Sequence, residues 1–284
     1  MNELRPTRRG PRPPRQRHSG RQATRAPALA RKSASSGSWL YGTHAVAAAL
    51  ANRERRWHRL AVLAGREEEA RRLVSQAQAM RLGEDEAFRV LNHNDFALLL
   101  PAGAVHQGIA LKVEPLAERD LDDVLSSAVE AAGRSIILAL DRISDPQNIG
   151  AVLRSAAAFG ALAVVVPARS TPSITGALAK AASGAVEVVP LVRVVNIARA
   201  LDRVKASGFW ICGLDETAPL PLARVEVGER IALVLGSEGG GMRRLVRERC
   251  DLLARLPTRP VQPTLNVSNA AAIALYELVR NGIS

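Results

Sequence analysis

Three short segments carry the residue types that could hold a ligand or act on it, and all three lie in the C-terminal half of the 284-residue chain. The first is Asp141-Arg-Ile-Ser-Asp-Pro-Gln-Asn148, which runs on through Ile149 to Arg154. It puts an amide side chain, Asn148, where a helix begins and can be capped. It also puts a guanidinium, Arg154, inside that helix among Ile149, Val152, Leu153 and Ala156. Such apolar flanks argue against a wholly exposed face for Arg154. The second segment, Gly236-Ser-Glu-Gly-Gly-Gly-Met242, has four glycines in six residues. Glycine lets backbone amides approach a ligand closely and adopt positive φ, and Glu238 in its midst can cap the next helix or orient a ligand. The third, Pro257 to Ser268, is stiffened by Pro260 and Pro263 as a preorganised cofactor clamp should be. It ends on Asn266 and Ser268, either of which can cap the helix that follows.

Several chemistries are excluded. The glycine-rich segment has no G-K-[ST] and is not G-x-G-x-x-G, and it comes late in the chain rather than after a first strand. ATP hydrolysis and dinucleotide-dependent oxidoreduction are therefore disfavoured. Cys212 and Cys250 are the only two cysteines and have no C-x-x-C spacing, so they form neither a disulfide framework nor a zinc site. His18, His44, His58, His93 and His106 fall in no ligand spacing and all precede the second half. No metal is expected.

The elements that must position these segments follow a regular rhythm. Apolar strands are read at Ser135–Leu140, Leu162–Val166, Ala185–Val189, Phe209–Cys212, Ile231–Leu235 and Leu252–Leu256. Helices are read at Ile149–Phe159, Thr175–Ala182, Asn196–Ser207, Met242–Arg249 and Ser268–Arg280. Strands of this kind alternating with helices mean a parallel sheet covered on both faces. Such sheets bind ligands at the carboxyl ends of their strands, which is where all three segments fall. Residues 38–114 read as a separate small α/β domain, with helices at His44–Leu50 and Glu67–Met80, a helical turn at Asp95–Leu100, and strands at Arg59–Leu63, Phe88–Leu91 and Gly108–Val113. Residues 115–133 join it, through a helix at Leu121–Ala132, to the domain at 134–284.

Charge is unevenly placed. Residues 1–37 hold nine arginines and Lys32 against Glu3, or +9 of the net +12. This Pro-rich arm cannot bury enough surface to fold alone, but it can attract a polyanion and release counterions on contact. It carries few aromatics, so base stacking is not its mode. There is neither a bilayer-length apolar run nor a signal peptide, so no membrane association is expected and the compartment read is the cytoplasm.

Taken together, the segments resemble the SpoU (TrmH-like) family of RNA 2′-O-ribose methyltransferases. D-P-x-N-x-G-A-x-x-R from Asp145 is similar to the first family motif, L-G-S-E-G-x-G-M from Leu235 to the second, and L-N-V-S-x-A-A-A from Leu265 to the third. Lys180 to Arg193 looks like the ribosomal-RNA guanosine branch, and Tyr41–Val46 with Val105–Gly108 looks like that branch's small RNA substrate-binding domain. The resemblance implies an α/β SPOUT-type parallel-sheet domain with a C-terminal trefoil knot, and a homodimer whose active sites use both protomers. It implies S-adenosyl-L-methionine as cofactor, held at Gly236, Leu256 and Leu265. It also implies catalytic roles for Arg154, Asn148, Glu238 and Asn266. Because an arginine pKa exceeds about 12, Arg154 reads better as a stabiliser of the developing alkoxide than as a base. One loop departs from the family: Pro257-Thr-Arg-Pro260 stands where Pro-Met-x-Gly is usual, and Thr264 replaces a Ser. Ribosomal RNA is the favoured substrate and tRNA the runner-up. A non-catalytic RNA-binding assembly factor is the competing class, disfavoured by the intact Arg154 and glycine segment.

Overall fold

The computed structural model describes residues 37–76, 88–130, 133–171, 173–174, 176–226, 228–259, 261 and 264–280. The basic arm up to residue 36, the end of the Glu67–Met80 helix, Ala131, Ala132, Thr175, Pro260 and Pro263 lie outside them. Two sheets organise the rest. The smaller contains β1 (Ser38–Tyr41), β2 (Trp57–Leu63), β3 (Phe88–Leu91) and β4 (Ile109–Val113), in the order β1-β4-β2-β3. β4 runs antiparallel to both neighbours, and β2 and β3 pair in parallel. Helices α1 (Thr43–Ala51), α2 (Glu67–Gln76) and α3 (His93–Ala97) connect these strands. Strand β1 escapes a sequence reading because its residues, two half-buried and then two buried, do not alternate.

The larger sheet contains β5 (Ser135–Leu140), β6 (Ala163–Pro167), β7 (Leu191–Val194), β8 (Trp210–Leu214), β9 (Arg230–Leu235) and β10 (Leu252–Ala254). Its order is β10-β8-β9-β5-β6-β7, and every pairing is parallel. Side chains alternate across a strand, and β5 shows the consequence. Ile136, Leu138 and Leu140 pack on the face covered by α5 (Pro146–Ala158), α6 (Gly176–Ala181) and α9 (Val267–Val279). Ile137 and Ala139 pack on the face covered by α4 (Leu121–Glu130), α7 (Ile197–Ala206) and Val246 of the short α8 (Arg244–Arg247). All six residues of β5 are buried, which is why the strand reads as a continuous apolar run.

Two sequence readings need correction. Ala185–Val189 is not a strand: Ala185–Glu187 forms a 3-10 helix, and the third parallel strand is Leu191–Val194. The alternating apolar pattern misleads because Glu187 is held by the small domain. Its carboxylate accepts from Arg55 Nη2 at 2.5 Å and from Asn52 Nδ2 at 2.9 Å. Nor is Asn148 the cap of its helix. That helix begins at Pro146, and Asp145 caps it by accepting from the amides of Gln147 and Asn148. Proline suits the first helical position because its missing N–H has no partner there anyway.

The two sheets share one hydrophobic cluster, in which Leu40, Leu60, Ile109 and Leu111 join Leu178 and Val186. Contact is close enough to require glycine. A β-carbon on Gly176 would lie 2.5 Å from the Trp39 carbonyl oxygen, and one on Gly184 would lie 2.4 Å from the Ala48 β-carbon.

Candidate active site

The site begins where β9 ends. Gly236 turns the chain so tightly that a β-carbon there would sit 2.1 Å from the Gly241 carbonyl carbon. The loop then closes on itself, with the Gly241 amide donating to the Ser237 carbonyl at 2.8 Å and the Ser237 amide donating to the Gly241 carbonyl at 3.2 Å. Gly239 and Gly241 supply the positive φ values, +73° and +58°, that the return demands. Asp141, at the end of neighbouring β5 and fully buried, anchors the far side. It accepts from the Arg243 amide at 2.7 Å and from Arg243 Nε at 2.8 Å. The buried carboxylate is thus paired and hydrogen-bonded, as burial of a charge requires.

Asn148, Glu238 and Asn266 come together although 118 residues separate the first from the last. The Asn266 amide donates to Asn148 Oδ1 at 3.0 Å and to Glu238 Oε1 at 2.8 Å. The same Glu238 oxygen accepts from the Val267 amide at 3.3 Å. Asn266 Oδ1 caps α9, accepting from the Ser268 amide at 2.9 Å and the Ser268 hydroxyl at 2.6 Å. One asparagine therefore fixes the start of α9 and ties three loops together. Of the two capping residues suggested by sequence, Asn266 serves.

Glu238 also lines a cleft of ≈ 390 Å³, within the roughly 300–1,000 Å³ of small-ligand sites. Gly236, Leu256 and Leu265 all line it. Leu214, Asp215, Glu216 and Thr217, at the carboxyl end of β8, form a further wall that sequence inspection missed. The signal was available, since this loop also follows an apolar strand of a parallel sheet. Asp215 is held in place by Arg247 of α8 and accepts from the Thr217 amide at 2.8 Å.

Arg154 stands apart from this network. It is exposed on α5, against the reading from its apolar flanks, and makes no hydrogen bond or ion pair with any described residue. Its neighbours Val152, Leu153 and Ala156 are buried because they face the core, while Arg154 points off that face.

A parallel α/β sheet with a glycine-rich cleft at its carboxyl edge, joined to a small α/β domain, is an architecture with room for a nucleoside-sized ligand where its strands end. Comparison with known proteins makes this specific. Residues 135–276 match the SpoU rRNA methylase family, and residues 39–119 match a domain described as RNA 2′-O ribose methyltransferase substrate binding. The chain is 38% identical over 253 residues to the Vibrio vulnificus 23S rRNA (guanosine-2′-O-)-methyltransferase RlmB, covering 88% of this chain and 99% of that protein. It is also 38% identical over 247 residues to an uncharacterized tRNA/rRNA methyltransferase of Synechocystis, covering 85% of this chain but only 62% of that longer protein. An AdoMet-bound rRNA methyltransferase from Sinorhizobium meliloti shares the fold, with a TM-score of 0.71 at 21% identity over 88% of this chain and 89% of that one. The chain belongs to the SpoU family, and with it to the S-adenosylmethionine-dependent RNA methyltransferases.

The residues present fit that cofactor. Leu214, Leu235, Leu256, Leu265 and Val267 offer an apolar bed for a nucleoside. Glu216 and Glu238 offer negative charge for a sulfonium and an ammonium, and the glycine loop offers backbone groups.

Proposed function

We propose that the chain methylates the ribose 2′-hydroxyl of a guanosine in 23S rRNA. The observation that carries this reading is the Asn148–Asn266–Glu238 network built onto the wall of the cleft. The relative that supports the guanosine target is matched along 99% of its length. Gly236, Leu256 and Leu265 would hold S-adenosylmethionine, which supplies an electrophilic methyl group. Glu238 and Asn266 set the shape of the pocket. Asn148, fixed through Asn266, orients the ribose. Arg154 stabilises the negative charge that develops on the 2′-oxygen, while its proton passes to a nearby phosphate.

Arg154 has to reach that oxygen from outside its own chain's network, and a homodimer provides the means. Exposed Ile273 and Tyr276 on α9, which packs against α5, give an apolar face for a second copy. We assign the family's trefoil knot to the segments that follow β9. Among the described residues no helix is long and apolar enough to cross a membrane, and an enzyme of rRNA would work in the cytoplasm.

Mapping ribose methylation in rRNA and tRNA from cells with and without this protein tests the target. One 23S guanosine should lose its 2′-O-methyl group. A loss confined to tRNA would overturn the assignment.

A further inference from the structure

One residue beside the cleft is strained, cationic and unused by the chemistry above. Arg142 follows the buried anchor Asp141 and has a φ of +62°, a left-handed conformation that a side chain with a β-carbon rarely adopts. Strain of this kind persists only where the surroundings impose it, and it concentrates at functional positions. The strain here is not relieved by a contact of the side chain. Arg142 is exposed and makes no hydrogen bond or ion pair with any described residue. Asp141, its chain neighbour, is taken by Arg243. Two other arginines around the cleft are likewise neutralised, Arg244 by Glu248 and Arg247 by Asp215.

The backbone twist sends the Arg142 guanidinium across the glycine loop. A β-carbon on Gly240 would lie 3.6 Å from both of its terminal nitrogens. The guanidinium therefore spans the open side of the loop whose Glu238 bonds to Asn266. It is not among the residues lining the cleft, so its charge is offered to something passing over the rim. On an enzyme of RNA, the group that fits a planar, unpaired guanidinium fork is a phosphate.

We infer that Arg142 binds a backbone phosphate of the RNA next to the nucleotide being methylated, a role that rests on the RNA-methyltransferase reading above. The left-handed backbone is what carries the fork over Gly240 to meet it.

The test compares Arg142→Gly and Arg142→Lys with the parent enzyme. Glycine removes the fork and is at ease at positive φ, so Arg142→Gly should unfold no earlier than the parent. Its KM for RNA should rise severalfold, with a smaller change in kcat and an unchanged Kd for S-adenosylmethionine. The slope of log RNA affinity against log salt should become shallower by about 0.7 to 0.9, the value for one phosphate contact. Arg142→Lys keeps a cation and should restore most of that slope. A parental KM and salt slope in Arg142→Gly would overturn the assignment, as would a change in cofactor Kd with the RNA slope intact. Failure of the parent enzyme to bind or methylate RNA would instead remove the reading beneath it.

Discussion

Asn266 carries more of the site than any other side chain, because its two ends do different work. Its oxygen caps α9, and its nitrogen joins Asn148 to Glu238. Asn266→Ala loses both functions and should cost about 1 kcal/mol of stability from the cap alone, together with activity. Asn266→Asp keeps the capping oxygen, loses the donor and sets a second carboxylate beside Glu238. It should lose methyl transfer and some thermal stability through repulsion between the two carboxylates, and parental activity in it would show that the network is only scaffolding. Arg154→Ala should lower kcat by about 10²- to 10³-fold, the range for removing one donor to a developing oxyanion. Calorimetry should find its cofactor affinity nearly unchanged. Asn148, Glu238 and Asn266 could each be singled out from sequence, since they sit in segments that follow strands, Asn148 in the first turn of α5 and the other two in loops. Their meeting could not, because nothing in a spacing of 118 residues reports a hydrogen bond. Asp145 was overlooked as the helix cap because Asn148 is an equally good capping type. Only the position of Pro146 within the first turn decides between them.

The parallel strands were plain in the sequence because full burial writes them as unbroken apolar runs, as in Ser135–Leu140. Ala185–Val189 shows the limit of that signal. Its pattern suits a strand, but Glu187 is captured by Arg55 and Asn52 from another part of the fold, and a tertiary partner overrides local preference. The Arg55–Glu187 pair has side chains only 3% and 2% exposed. Removing one partner leaves the other charge buried and alone, so Glu187→Ala should destabilise the protein by about 3–5 kcal/mol in chemical denaturation. Strand β8 holds one thiol, Cys212, and the other, Cys250, follows α8. Burial pushes the Cys212 thiol up to about 12, with Cys250 nearby adding to the effect. Burial likewise pushes Cys250 up to about 11, helped by Asp251 and opposed by Lys205 and Arg247. Both thiols stay protonated in the fold at a pH where the unfolded chain, with a thiol value of 9.0, begins to ionise. Their contribution to stability is complete below about pH 9 and is lost as the pH rises from there toward 11 and 12. Replacing both with Ala should flatten that alkaline decline in unfolding free energy.

The assembled protein joins a small sheet to the larger, cleft-bearing sheet through one shared hydrophobic cluster, and its sequence adds a strongly basic N-terminal arm. Nine arginines within 37 residues should act on RNA through counterion release, with little regard to sequence. Deleting residues 1–37 should weaken RNA binding at low salt and make its salt dependence shallower, and an unchanged slope would leave the arm without that role. Composition alone pointed to a polyanion and the motif resemblance to RNA, whereas the cleft's β8 wall, Leu214–Thr217, follows an apolar strand but matches none of the three motif segments. The cleft, its three-residue network and Arg154 are proposed to act together in methylating a ribose of 23S rRNA. The most direct measurement incubates purified protein with isotopically labelled S-adenosylmethionine and 23S rRNA and locates the label by nuclease digestion and mass spectrometry. One guanosine should carry the label, methylated at the 2′-oxygen, and almost none should appear with Arg154→Ala. Label on a base, or equal labelling by the parent and Arg154→Ala, would contradict it.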